Sequence, residues 1–135
     1  MNKVKLLQGF LWFWAAFQFV NALFSTVLLD QGAAIYGFGS WLVNPQTRYV
    51  FNQYGMALFV IAITYAIIAT DVVKYEQLLW AVVVEQVVGA IVSTVELQHQ
   101  GIITAGQFSM VHVVQGIVIL LLWFLRPSAD QTRRA

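Results

Sequence analysis

The sequence predicts an all-α integral membrane protein, a four-helix bundle running up and down antiparallel, with both termini cytoplasmic. Three observations predict it. The 135 residues are 60% hydrophobic and only 10% charged, with a mean hydropathy of +0.75. A soluble domain carries about 25% charged residues, so this chain cannot cover itself with a polar surface. Four apolar runs each approach the roughly 20 residues that a membrane-crossing helix needs. The charges fall almost wholly between those runs, and the basic ones fall on one side.

The first span is predicted over 6–29. It follows Lys3 and Lys5, which resemble the basic start of a secretory signal. The apolar run is too long for a cleavable core and no A-x-A site closes it, so it reads as a retained helix. The second span is predicted over 51–70, the third over 77–97 and the fourth over 103–125. These lie within one transmembrane domain, 1–126. Pro127 then breaks the helix and opens a polar tail, 127–135. The connection from Asp30 to Val50 is the longest. Gly32, Gly37, Gly39 and Asn44-Pro45 argue for turns there, while Ile35, Tyr36, Phe38, Trp41 and Leu42 suggest a segment lying in the headgroup region and capping the bundle. Asp71–Glu76 and Gln98–Gly101 read as short polar turns.

Basic residues in short loops mark the cytoplasmic side. With the N-terminus inside, Lys3, Lys5, Lys74, Arg126, Arg133 and Arg134 are cytoplasmic and only Arg48 is outside. Trp12, Trp80 and Trp123 fall near the inner interface and Trp41 near the outer one, whereas Trp14 lies deeper than a belt residue. The expected location is the cytoplasmic membrane of a bacterium. Net charge is +1 and no basic stripe is present, which argues against nucleic acid as a partner. Cysteine is absent, which excludes disulfides and thiolate chemistry. Two histidines are too few for most metal or bis-histidine haem centres, so neither a metal nor a cofactor is expected.

Polar residues at membrane depth are the candidates for function. Glu85 stands in the middle of the third run and Gln86 follows it. The fourth run carries His112 and Gln115 near its own middle. An ionisable side chain there costs about 2.5–3.5 kcal/mol on insertion scales, so it faces a protein interior and marks a site. Glu85, Gly89, Ser93 and Glu96 form one stripe, and Ser109, His112 and Gly116 another. With the intervening turn near Gln100, Glu85 and His112 differ in depth by about 4.5 Å and could meet. Gln18 and Asn21 of the first helix, with Gln86 and Gln115, fall within about one turn of that level. The set Glu85, His112, Gln86, Gln115, Gln18 and Asn21 therefore reads as a polar pocket. The alternative is that these groups hydrogen-bond one another and fix helix register, as amides and hydroxyls commonly do at about 0.6 kcal/mol each.

Other signals carry less. Glu96-Leu-Gln-His99 has the E-x-x-H spacing of di-metal bundles, but such sites need two copies and two more carboxylates. The aromatic run from Phe10 to Phe19 covers every side of the first helix, so part of it faces lipid. Asn52 could cap the second helix. Arg48 could meet a lipid headgroup or an anionic ligand. Gly55, Ala62, Ala66 and Ala69 mark close packing on one face, and Tyr65 could reach the central cluster.

The length, the four spans, the longer first outer loop and the stretch Arg48-Tyr-Val-Phe-Asn-Gln-Tyr-Gly55 resemble the small BphX-like and DoxX-like membrane proteins. That resemblance implies a four-helix fold and no particular activity. The plan is also similar to EXPERA-type proteins, which place acidic residues in a membrane pocket for sterol-like ligands. Glu85 alone would stand for such an acid, since the second span carries no carboxylate. Three functions follow as expectations. The first is a pocket for a small hydrophobic, lipid or quinone-like ligand. The second is an accessory or assembly subunit of a larger membrane complex, with a protein partner or further copies of itself and membrane lipid around it. The third is an acid–base isomerase or oxidoreductase accessory, because a Glu–His pair can move protons.

Overall fold

The computed structural model describes residues 3–37, 40, 42, 44–95, 97 and 105–127. Their regular structure is helical: α1 (Lys3–Phe24), α2 (Leu29–Tyr36), α3 (Pro45–Thr70), α4 (Leu79–Val95) and α5 (Ala105–Leu125), with a 3-10 turn at Glu76–Leu78. Four of the helical stretches are long and apolar enough to cross a membrane. The chain divides into two compact units, one of Gly9–Thr70 and one of Met1–Gln8 with Asp71–Ala135.

In the first unit, α1 ends at Phe24 rather than at Leu29. The Thr26 hydroxyl donates to the Ala22 carbonyl, and residues 25–28 form turns. The segment read as turns then makes a helix of its own, α2. Gly37 ends it with φ +77°, and its N–H donates to the Ala33 carbonyl. That left-handed conformation suits a residue without Cβ. Leu29, Ala33 and Leu42 are buried together, with Phe51 packed against them. Arg48 grips Asp30 through two parallel hydrogen bonds of 2.8 and 3.0 Å, tying α2 to the start of α3.

The start of α3 also differs from expectation. Asn44 Oδ1 accepts from the Gln46 N–H at 2.8 Å, and Pro45 is the first helical residue. An asparagine cap followed by proline is the favoured N-terminal pair, because proline lacks only an N–H that would go unpaired there. Asn52 therefore lies inside the helix and caps nothing. The buried face of α3 runs Gly55, Leu58, Ala62, Tyr65, Ile68 and Ala69, a helical spacing that includes three of the four expected small residues, while Ala66 is only half-buried. On α1, Trp14 is buried between Phe10 and Phe17, with ring centroids 6.1 and 5.1 Å away.

The Arg48–Asp30 pair has a consequence in acid. The guanidinium hydrogen bonds hold the Asp30 carboxyl below its ordinary range. A depressed acid contributes stability that is present above its unfolded pKa and is lost as pH falls through the folded one. The α2–α3 tie should therefore persist at neutral pH and loosen below about pH 4. Carboxyl carbon-13 shifts should show Asp30 titrating later than a free aspartate, and Arg48→Gln should return it to the ordinary range.

In the second unit, Asp71 Oδ1 accepts from the backbone N–H groups of Val73 and Lys74, at 3.2 and 3.0 Å, and turns the chain into the Glu76–Leu78 element. Helices α4 and α5 pack against each other. They are antiparallel, because Arg126 after the end of α5 bonds to Glu76 before the start of α4, while His112 meets Thr94 near the other end.

Candidate functional site

The register of α4 on α5 decides which polar groups meet. A Cβ placed on Gly89 would lie 2.6 Å from Gln115 Nε2, so that amide lies directly over the glycine. His112 Nε2 lies 3.4 Å from Thr94 Oγ1. Thr94 is nine residues beyond Glu85, which places His112 roughly 13 Å along the axis from Glu85. The expected Glu85–His112 contact is thus not made. Its physical reason is the position of the turn. The facing pairs Gly89/Gln115 and Thr94/His112 centre the register two to three residues beyond the turn near Gln100 that the sequence suggested, and each residue of that shift moves the facing residue by two. The level of Glu85 on α5 is about that of Val118 and Ile119, two turns from His112.

His112 is instead satisfied locally. Its Nδ1 donates to the Phe108 carbonyl at 2.9 Å, and its ring packs on Phe108 with centroids 4.0 Å apart. The Thr94 hydroxyl beside its other nitrogen already donates to the Ala90 carbonyl at 2.8 Å.

Glu85 and Gln86 do form a unit. Gln86 is only 5% exposed, and its Nε2 donates to Glu85 Oε2 at 3.1 Å. The buried stripe of α4 is Leu79, Val82 and Gln86, continued at half-buried Gly89 and Ser93. This puts an amide and a half-buried carboxylate on the packed side of a largely aliphatic helix. One turn along, Gln115 completes the group. Its Oε1 is buried and has no hydrogen-bond partner among the described residues. A buried acceptor left unpaired costs about 1–3 kcal/mol. A strip of three polar side chains, Glu85, Gln86 and Gln115, therefore lies along the α4–α5 seam, and one of its atoms lacks a donor.

The two candidates on α1 belong to the other unit. Gln18 is 7% exposed, within the buried face formed with Leu11, Trp14, Ala15 and Ala22. Asn21 Oδ1 accepts from the Tyr36 hydroxyl at 3.1 Å, which joins α1 to the end of α2. Tyr65 is buried on α3. Glu96 and His99 lie outside the described residues, as does Trp41.

One feature escaped the reading of the sequence. Trp80 and Trp123, read as belt residues, line an open groove together with Glu76 and Arg126. Their spacing from the helix ends is the signal that could have found it. Comparison with known proteins gives no matching family model, curated relative or solved structure.

Proposed function

We propose that the chain is an integral protein of the bacterial cytoplasmic membrane, with four helices running up and down and both termini inside. We further propose that it binds a small hydrophobic molecule through the Glu85–Gln86–Gln115 strip. The ligand class is a lipid or quinone-like molecule that presents a hydroxyl. The observation that carries this reading is the buried Gln115 Oε1 without a donor, one turn from a half-buried carboxylate. A hydroxyl would donate its one proton to Gln115 Oε1, and its oxygen would be left to accept from the Glu85–Gln86 pair, through Gln86 Nε2 or through Glu85 in its protonated form. The Gln115 side chain rests on Gly89, where no Cβ blocks it, and can swing aside to admit the head of such a molecule. His112 is not part of this site, because its polar contacts are made elsewhere. A Glu–His acid–base step is accordingly set aside.

The test is native mass spectrometry of gently solubilised wild type beside Glu85→Gln and Gln115→Leu. One small-molecule mass should accompany wild type and be absent from both variants. If no small-molecule mass is lost from either variant while a protein chain accompanies all three, the accessory-subunit reading replaces this one.

A further inference from the structure

The groove where α4 begins and α5 ends has the form of an amphiphile site, independent of the polar strip. Its lining is aliphatic at Leu79, Val83, Ile119 and Leu122. Trp80 and Trp123 form its sides and are 55% and 65% exposed. Its charged end is the Glu76–Arg126 pair, with Glu76 seven residues before Val83 and so roughly 10 Å away along the axis. Tryptophan prefers the level of the headgroups, where one edge of the ring is apolar and the other wet. A shallow apolar groove between two such rings and beside charge suits the upper part of one acyl chain where it joins a polar head.

The charges specify which head. Arg126 binds Glu76 Oε1 through Nε alone, at 3.2 Å. A guanidinium has five N–H donors, and no bond to the two terminal nitrogens of Arg126 occurs among the described residues. Those nitrogens form the planar fork that takes two oxygens of a phosphate. The Glu76 carboxylate accepts, and two oxygens provide about four lone-pair directions. The pair as a whole is neutral, so it offers little attraction to a head with net charge. It complements a head that is itself a neutral pair, an acceptor phosphate beside an N–H donor. The geometry points to a site for a phospholipid with a phosphoethanolamine head, its phosphate on Arg126, its ammonium on Glu76 and one chain between Trp80 and Trp123.

Phosphatidylcholine provides the control, because it has the same charges and no N–H. The experiment is native mass spectrometry of the full chain in detergent with equimolar phosphatidylethanolamine, phosphatidylcholine and phosphatidylglycerol of identical chains. The ethanolamine adduct should exceed the choline adduct about tenfold, the worth of one charge-assisted hydrogen bond. In Glu76→Gln the two should become nearly equal, and in Arg126→Gln both should fall. Equal ethanolamine and choline adducts in wild type would reduce the groove to ordinary lipid contact. Stronger glycerol adducts would show that Arg126 acts alone as a cation. Either result overturns the assignment without any variant having to fold.

Discussion

Replacing Gly55 by alanine is expected to destabilise the protein by about 1–3 kcal/mol, although alanine is the better helix former by about 1 kcal/mol. The reason is the turn after α1. A Cβ at position 55 would overlap Thr26 Cγ2, and it would lie 3.0 Å from the Ser25 carbonyl carbon, which is backbone and cannot step aside. Thr26 cannot simply rotate either, because its hydroxyl is held by the Ala22 carbonyl. Two comparisons separate crowding from propensity. Gly116→Ala lies inside α5, where an added Cβ meets nothing, and should stabilise by about 1 kcal/mol. Thr26→Ser removes the crowded methyl and keeps the hydroxyl bond, so Gly55→Ala should cost less in that background. Reversible unfolding by SDS in mixed micelles reads all of these. A stabilising Gly55→Ala would mean that α3 does not approach residues 25–26 as closely as described.

The four long helices were legible because apolar runs near 20 residues leave few other structures possible. What sequence reading missed was local and short. The α2 helix is eight residues with a glycine inside it, too few for a periodic pattern to stand out against turn formers. The start of α3 was hidden by the double meaning of Asn44-Pro45, which signals a turn and equally an N-cap followed by the first helical residue. The Arg48–Asp30 and Tyr36–Asn21 contacts join residues 18 and 15 apart, across an element that sequence reading did not contain. The candidate site was half legible. Glu85 and Gln86 were found from their depth alone. Their partner was misassigned, because the facing residue depends on where the turn lies, and a small error there moves the answer by a full helical turn. Gln115 rather than His112 lies nearer the carboxylate, and Gly89 beneath it is the small residue that permits the approach.

Glu85→Gln should raise stability while it abolishes ligand binding, and the sign of the first effect distinguishes a functional carboxylate from packing glue. Glu85 stands midway along the apolar stretch Glu76–Val95. A charged side chain at such a depth costs about 2.5–3.5 kcal/mol on insertion scales. An amide of the same shape keeps an oxygen where Glu85 Oε2 now accepts from Gln86 Nε2, so the variant loses little hydrogen bonding. The expected gain is about 1–2 kcal/mol, less than the full insertion cost because Glu85 is only half-buried. If the carboxylate were instead retained to hold α4 in register, the variant would lose about 0.6–1.7 kcal/mol, the range for polar contacts between membrane helices. Gln86→Leu provides the complement. It removes a donor from the carboxylate in a buried position and should destabilise by about 1–3 kcal/mol. Adding Glu85→Gln to it should recover part of that loss, because the group left without its donor would then be neutral. SDS unfolding of the two single variants and the double one closes the cycle. A residue that lowers the stability of its own helix and improves nothing in packing is held there by what it binds, so a gain on its removal would tie Glu85 to a ligand even before that ligand is identified.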